Sequence, residues 1–294
     1  MIQVLDLNYL DIDQAIASFL VESSEGPILI ETGPHSTFES LKKGLMQFGY
    51  TPRDVKHVLL THIHFDHAGA AWALAETGAN IYVHPFGLPH MEDPTKLYES
   101  AKRIYQDDME RLWGAMNKIP RNQLFAPEDK AELTIGGKTF IAHYTPGHAK
   151  HHIAWQLDDS IFSGDVAGVK IGAGPVVAPC PPPDIDLEIW NMSIDHLLSI
   201  AADNLYLTHF GVIKNKVAHL DNLRKMMQDW AGWVKEKWSS GLEMDEMVSQ
   251  FKDYTVNQLK EHGVDSHGLE QYEAANPSWM SVSGLVRYWK KQNS

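Results

Sequence analysis

The chain has 294 residues, 44% of them hydrophobic, which suits one large domain or a domain of about 200 residues with an appendage. Its net charge of −13 disfavours nucleic-acid phosphates and anionic membranes as partners, and no apolar run approaches the roughly 18 residues of a membrane span. With no basic leader pattern at the start and with Cys180 as the single cysteine, we expect a cytoplasmic protein without an intrachain disulfide or a thiolate zinc knuckle.

Short apolar runs and helical patterns alternate in the first part of the chain. Residues 1–33 predict strands, among them the short apolar runs "ASFLVES" and "PILIETG". The stretch "STFESLKKGLMQFG" predicts a helix with Leu41, Leu45 and Phe48 on one face. Next, "VKHVLLTH" predicts a strand, "AGAAWALAETG" a helix and "NIYVHP" another strand. This alternation indicates an α/β layer architecture.

Residues from about 87 to 127 break the alternation. The segment "TKLYESAKRIYQDDMERLWGAMNKI" repeats apolar residues at helical spacing, so we predict a helical insertion without a strand. Strands resume with "AELTIGGKTFIAHYTPGH", in which Gly136 and Gly137 predict a hairpin, and continue with "HHIAWQL" and "IFSGD". The helix "LEIWNMSIDHLLSIAA" and a last strand, "NLYLTHFG", follow. Strands and helices thus occur in two sets, which predicts two stacked α/β halves.

After Gly211 the patterns are helical, with a break near "EHGVDSHG". We therefore predict one domain over residues 1–213 and a C-terminal helical extension over residues 214–294. The final helix has an apolar face, which favours docking on the core, and a homodimer contact is the alternative. This face consists of Met280, Leu285, Tyr288 and Trp289.

The densest group of metal-ligand residues lies in "LLTHIHFDHAGA", where His62, His64, Asp66 and His67 directly follow an apolar strand. Imidazoles and carboxylates bind zinc, iron and manganese-like ions, and residues two apart in an extended segment point the same way. A chance match has odds on the order of a few in a thousand. One turn cannot complete two metal shells, so other strand ends must contribute ligands.

Three further strand ends carry a histidine or an aspartate in a turn that contains a glycine. "TPGH" ends at His148, "FSGD" ends at Asp165, and "LTHFG" contains His209. Glycine lets the backbone turn sharply at a sheet edge, where functional residues commonly lie. A lone histidine at a strand end is usually a packed or surface residue, but these residues in combination predict one metal centre.

These motifs, in this order and at these separations, resemble the metallo-β-lactamase superfamily, in particular its glyoxalase II and lactonase-like branch, over roughly residues 1–213. The resemblance implies an α/β fold, a four-layer αβ/βα sandwich with a dinuclear metal site at one edge. It implies that Asp165 bridges two ligand groups. These groups are His62, His64 and His148 for one metal, and Asp66, His67 and His209 for the other.

The same resemblance implies hydrolysis of a small ester, thioester or lactone through a hydroxide bridging two divalent metal ions. Zinc is the first choice for the metal, with iron or manganese as alternatives. The catalytic carboxylates would be Asp66 and Asp165. β-Lactam hydrolysis is disfavoured, since class B β-lactamases usually use a cysteine ligand and no motif here supplies one.

Two other functions are open at this point. An iron-dependent redox enzyme such as a persulfide dioxygenase is the first alternative, although Asp66, His67 and His209 together favour two metals over one. An RNA-processing nuclease is a more distant alternative, because the charge of −13 disfavours RNA. A small-molecule substrate is therefore expected.

Two positions depart from the family pattern, and two further histidines could contact substrate. "IETG" places Glu31 where the family often has aspartate, which could support a ligand from behind. "TPGHAKHH" differs from the more usual "TPGHTxGH", so His151 is an unusual neighbour, while His152 keeps the second histidine. His35 and His84 follow predicted strands and are the weaker substrate candidates. The aromatic candidates for a pocket are Tyr105, Trp113 and Trp190.

Overall fold

A computed structural model describes residues 1–293, whose strands form two six-stranded sheets. The first sheet has its strands in chain order: β1 (Ile2–Asp6), β2 (Ala17–Val21), β3 (Ile28–Ile30), β4 (His57–Leu59), β5 (Asn80–Tyr82) and β6 (Leu124–Phe125). The second sheet has the order β12-β11-β10-β9-β8-β7: β7 (Glu132–Ile135), β8 (Lys138–Tyr144), β9 (Ile153–Leu157), β10 (Ser160–Phe162), β11 (Asn204–Leu207) and β12 (Gly211–Ile213). The two stacked halves predicted from the sequence are confirmed.

Helices cover the outer face of each sheet. The first half contains α1 (Phe38–Gln47), α2 (Phe65–Ala68), α3 (Ala71–Glu76), α4 (Leu88–Glu92), α5 (Thr95–Tyr105) and α6 (Met109–Trp113). The second half contains α7 (Leu187–Ser199), α8 (Lys216–Ser239), α9 (Met244–Glu261), α10 (Ser266–Ala275) and α11 (Ser278–Gln292). Within residues 1–293, no helix combines the length and the apolar character that crossing a membrane requires.

The alternation of side chains along the strands builds the layers. Phe19 of β2 packs between the sheets, 5.4 Å from the ring of Phe162, whereas its neighbour Leu20 faces the helices of the first half. Trp155 of β9 is fully buried in the layer between the sheets, where its Nε1 donates to the carbonyl of Leu60 at 2.9 Å. Successive residues of a strand point to opposite faces, so one sequence run supplies two cores. The four-layer αβ/βα sandwich is confirmed.

The strand directions bring distant segments to one edge. Strands β3 to β6 are parallel, as are β10 and β11, and β8 runs in the direction of β10 because both are antiparallel to β9. The loops after β4, β8, β10 and β11 therefore leave the sheets at their carboxyl ends. These four loops carry the predicted ligands.

Two strands were not predicted. The insertion is helical over α4 to α6, but Leu124 and Phe125 form β6, which adds a parallel strand beside β5. The interpretation of residues 87–127 as free of strand was therefore wrong at its C-terminal end. Similarly, residues 211–213 form β12, antiparallel to β11, before the helices of the extension begin.

The final helix docks on the core, as the sequence favoured. Leu285 and Tyr288 are buried in the same hydrophobic cluster as residues of α7, α8 and α9. Tyr288 donates a hydrogen bond of 2.6 Å to Glu188 at the start of α7. Gly284 allows the backbone of α11 to approach the carbonyl of Cys180 in the proline-rich loop.

Replacing Gly284 by alanine should destabilise the protein by about 3 kcal/mol or more, because the added Cβ would overlap the carbonyl oxygen of Cys180. The same change at Gly232 in α8, where no described atom lies within 4 Å, should stabilise by about 0.5–1 kcal/mol through helix propensity. Urea unfolding of both variants measures the difference. Equal stabilities would contradict the close packing of α11 on this loop.

Candidate metal centre

Three imidazole nitrogens from two loops converge at the sheet edge. His62 and His64 follow β4, and His148 follows β8. Nδ1 of His64 lies 2.9 Å from Nε2 of His62 and 3.1 Å from Nε2 of His148. Two ligands of a tetrahedral zinc ion, each bonded at 2.0–2.1 Å, lie about 3.3 Å apart. The three nitrogens are therefore spaced to share one ion.

A second group of ligand atoms lies beside the first. Asp66 and His67 are on the short helix α2, and His209 follows β11. Oδ2 of Asp66 is 3.4 Å from Nε2 of His209 and 3.7 Å from Nε2 of His67. The ligand atoms within this group lie within 4.8 Å of one another, as do those of the first group.

Asp165 lies between the two groups. Its Oδ2 is 3.3 Å from Nε2 of His148, in the first group. Its Oδ1 is 3.2 Å from Nε2 of His67 and 3.4 Å from Nε2 of His209, in the second. Each oxygen of one carboxylate therefore faces a different set of ligands. The structure brings all seven predicted ligands together, and their binding of metal stays a prediction.

Backbone carbonyls fix the orientation of two of these histidines. Nδ1 of His148 donates to the carbonyl of Pro179 at 2.9 Å, and Nδ1 of His209 donates to the carbonyl of Ala15 at 2.6 Å. A proton held on Nδ1 leaves the lone pair of Nε2 directed at the centre. Contacts outside the metal group thus orient Nε2 of both rings towards the centre.

Glu31 supports the second group from behind. The residue is fully buried, its Oε2 lies 3.4 Å from Nδ1 of His67, and its Oε1 accepts from the backbone N–H of Thr61 at 3.2 Å. Its φ of 66° is in the left-handed region, which costs a residue with a side chain about 1–3 kcal/mol. A hydrogen bond of 2.7 Å from the Ser18 hydroxyl to its carbonyl helps to hold this conformation.

Buried polar atoms without partners mark the centre as a cation site. Nε2 of His67, Oδ1 of Asp165 and Nε2 of His209 are buried and have no hydrogen-bond partner among the described residues. Leaving such atoms unpaired costs roughly 1–3 kcal/mol each. A divalent ion would satisfy all three, so the donor set fits a metal.

The ionisation of the groups agrees with this assignment. Burial lowers the pKa of His64 to about 3, which keeps its lone pair free. Burial would also lower the pKa of His67, but Asp165, Asp66 and Glu31 outweigh it and raise that pKa well above its usual value. The carboxylates thus favour a positive charge at the centre, and the spacing of the ligand atoms fits a metal ion.

The other predicted residues near the centre support it by packing. His152 is fully buried, its Nδ1 is 2.8 Å from the hydroxyl of Thr145, and its ring stacks 5.0 Å from that of His62. Trp190 is also buried, and its Nε1 donates to the carbonyl of Val166 at 2.8 Å. Neither residue belongs to the groups of metal-ligand atoms.

The two weaker candidates lie farther out. Nδ1 of His35 accepts from the backbone N–H of Ala115 at 3.3 Å, so this histidine fastens the helical insertion to the domain. The ring of His84 lies 4.2 Å from that of Tyr144, and its Nδ1 accepts from the N–H of Phe86 at 3.1 Å. Contact of either with substrate stays a prediction.

Aromatic side chains from three distant segments gather beside Asp66. Tyr9 stacks on Trp113 of α6 at 5.8 Å, and Tyr105 of α5 lies edge-on to the same ring at 5.3 Å. Burial raises the pKa of both tyrosine hydroxyls, and the Asp66 carboxylate adds to the effect. Trp279 of α11 lies 5.9 Å from Tyr105, so the insertion and the extension meet here.

Sequence reasoning missed several supporting groups. The carbonyls of Ala15 and Pro179 have no signature in the sequence, because any residue can supply one. Thr61, whose hydroxyl lies 3.0 Å from Nδ1 of His62, could have been found as the residue just before the ligand motif. His151 was noticed only as unusual. Its ring lies 5.7 Å from that of His64, and burial lowers its pKa to about 3, so it is neutral.

The sandwich with this ligand set at its edge defines a class of metal-dependent hydrolases. A sequence model of the metallo-beta-lactamase superfamily matches residues 12–209, so the chain belongs to that superfamily. A metallo-beta-lactamase fold-containing protein of Sulfurisphaera tokodaii is 29% identical over 180 residues, which cover 58% of this chain and 66% of that protein. Its crystal structure superposes with a TM-score of 0.64 at 22% identity, covering 77% of this chain and 86% of that one.

Two relatives carry names that specify a reaction. An N-acyl homoserine lactonase of Bacillus cereus is 34% identical over 157 residues, which cover 46% of this chain and 54% of that protein. An atrochrysone carboxyl ACP thioesterase of Pseudocercospora fijiensis is 28% identical over 156 residues, 52% of this chain and 37% of that protein. The matches thus span about a third to two thirds of the length of these curated relatives. The similarity supports metal-dependent hydrolysis without fixing the bond that is cleaved.

Replacing Glu31 by glutamine should weaken metal binding by roughly 10–100-fold, because the neutral amide no longer orients His67 or adds negative charge behind it. Competition with a chromophoric zinc chelator measures the affinity. The control is Glu128→Gln, which removes an exposed carboxylate and should change nothing. Equal affinities for the two variants would contradict the supporting role of Glu31.

Proposed function

We propose that the chain is a dinuclear metal-dependent hydrolase that cleaves a small ester, thioester or lactone, with zinc as the first choice of metal. The observation that carries this proposal is the position of Asp165, whose two oxygens face separate ligand groups. A one-metal site would have no use for a second complete group on the far side of this carboxylate. The lactonase and thioesterase named among the relatives support the substrate class.

The chain's own residues would hold and orient the reacting groups. When bound, two divalent ions supply a water acidified towards neutral pH and a Lewis acid for the substrate carbonyl. Asp165 would join the two ligand groups, while the carbonyls of Pro179 and Ala15 keep His148 and His209 in place. These positions are set by the fold before substrate arrives, which is the condition for electrostatic stabilisation of a transition state.

Asp66 is the carboxylate best placed to handle a proton. Its side chain is 21% exposed, whereas that of Asp165 is 5% exposed, so Asp66 is the more accessible of the two carboxylates. In our proposal, Asp66 accepts the proton of the attacking water and returns it to the leaving group. The aromatic cluster of Tyr9, Tyr105 and Trp113 beside it would limit the access of bulk water.

Metal quantitation paired with a substrate panel tests this function. We expect two divalent ions per chain, and hydrolysis of at least one thioester or lactone that is lost on chelation. One iron per chain with oxygen uptake that depends on a sulfur substrate would replace the proposal with a redox function. Hydrolysis confined to phosphodiesters would replace it with a nuclease.

A further inference from the structure

His151 lies beside the metal centre but outside its ligand groups. Its ring centroid is 5.7 Å from that of His64 and 6.2 Å from that of His62. The groups of ligand atoms that converge on the centre do not include it. The proposed metal chemistry therefore leaves this imidazole without a role.

One ring nitrogen of His151 is enclosed by the protein. Nδ1 is buried and has no hydrogen-bond partner among residues 1–293. A buried N–H without an acceptor costs more than a buried lone pair, so the stable neutral tautomer carries its proton on Nε2. Nε2 is then a hydrogen-bond donor for which no residue of 1–293 supplies an acceptor. An acceptor from outside the protein would complete it.

The surroundings of the centre are chemically two-sided. His151 lies near His64, and His84 is close enough to His151 to influence it electrostatically. Near Asp66 lies the partly buried ring of Tyr105, whereas that of Tyr9 is buried in the core. A substrate that spans the centre therefore meets imidazoles on one side and an aromatic ring on the other.

We propose that His151 is a specificity-determining residue that donates a hydrogen bond from Nε2 to an acceptor oxygen of the substrate, while the apolar part of the substrate packs against Tyr105, whose ring is only partly buried. The substrate class is a small ester, thioester or lactone with an amide or hydroxyl oxygen at one end and a flat apolar group at the other. This inference rests on the proposed function, because the scissile bond must lie between the two sides, at the metals.

A matched pair of ligands tests the inference through binding. Two γ-lactams serve as slowly hydrolysed analogues of lactones: one carries an α-phenylacetylamino group, and the other an α-(3-phenylpropyl) group of similar length without the amide. Titration calorimetry on the metal-loaded protein gives the dissociation constant of each. The wild type should bind the amide-bearing lactam more tightly. His151→Ala should weaken that lactam by about tenfold, the worth of one hydrogen bond, and leave the alkyl lactam within twofold.

Two further variants separate recognition from structure. His151→Gln keeps an N–H donor and should recover part of the affinity for the amide-bearing lactam. His196→Ala removes an imidazole that pairs with His143 and should leave both lactams unchanged. Metal content should match the wild type in all three variants. Loss of metal from His151→Ala, or an equal change for the two lactams, would overturn the inference.

Hydrolysis of the corresponding lactones distinguishes this inference from the proposed function. If the wild type hydrolyses lactones but shows no preference between the lactams, His151 does not determine specificity and the hydrolase function stands. If the wild type hydrolyses no substrate of the ester, thioester and lactone panel, the hydrolase function fails, whatever the lactams show. Failure of the wild type to bind the amide-bearing lactam also overturns the inference.

Discussion

Replacing Asp165 by alanine should remove hydrolysis and metal together. Its carboxylate faces both ligand groups, so the substitution removes the oxygen that faces each group. It also leaves His67 and His209 with one negative neighbour fewer, which weakens the attraction of the centre for cations. We expect kcat/KM on the best substrate of the panel to fall by about 10³-fold or more, since metal activation is worth several kcal/mol.

The matched control is Asp221→Asn, which neutralises an exposed aspartate on α8. Both variants should be assayed for metal per chain by elemental analysis and for kcat/KM on the same substrate. The control should keep both values within twofold of the wild type. An Asp165→Ala protein that retains two metals and full activity would remove the basis for a shared carboxylate and for the dinuclear proposal.

Much of the fold could be predicted, because its signals are local. The Gly136–Gly137 pair sits between two alternating runs, and the structure pairs Ile135 with Lys138 across this turn. Strand β6 left no such signal, since a strand of two residues is too short to show a period of two. It forms because β5 offers a parallel edge, which is a property of the folded sheet and not of the segment.

Likewise, the sequence predicts the ligand residues of the candidate site but not all of the contacts that support them. The motifs that carry the ligands each follow an apolar run that predicts a strand, and this pattern can be recognised without the rest of the chain. The contact between Ala15 and His209 joins residues 194 apart through a backbone carbonyl. Any residue type can supply such a carbonyl, so the sequence does not predict this contact. For His35, a histidine after a predicted strand, the structure shows a contact with the insertion, and its contact with substrate stays a prediction.

The helical extension illustrates what composition alone leaves open. The sequence predicts its helices but not their contacts, and in the structure α10 and α11 reach residues of the first half of the chain. Gln271 donates to Asp13 at 3.0 Å, and Trp279 meets Tyr105. The segment that contains Asp13 also contains Ala15, whose carbonyl accepts from His209. The extension therefore contacts the segment that orients this histidine, without contributing an atom to the ligand groups.

Removing the metal should lower the melting temperature by roughly 8–16 °C. Ions that bind only the folded chain stabilise it by about 4 kcal/mol when free metal is 1,000 times the dissociation constant. Each kcal/mol shifts the melting temperature of a chain of this size by about 2–4 °C. Without metal, buried atoms of His67, Asp165 and His209 have no partner, and this loss of free energy lowers the stability of the domain core.

Calorimetric scans of the chelated protein, and of the same sample with increasing zinc, measure this effect. The melting temperature should rise with the logarithm of free zinc once the site is filled, because binding to the folded state alone follows mass action. Asp165→Ala should lose most of this zinc dependence, whereas Asp221→Asn should keep it. A melting temperature that chelation leaves within about 1 °C would mean that the cluster is stable by its internal ion pairs. The buried carboxylates and imidazoles would then neutralise one another, and the centre would need no cation.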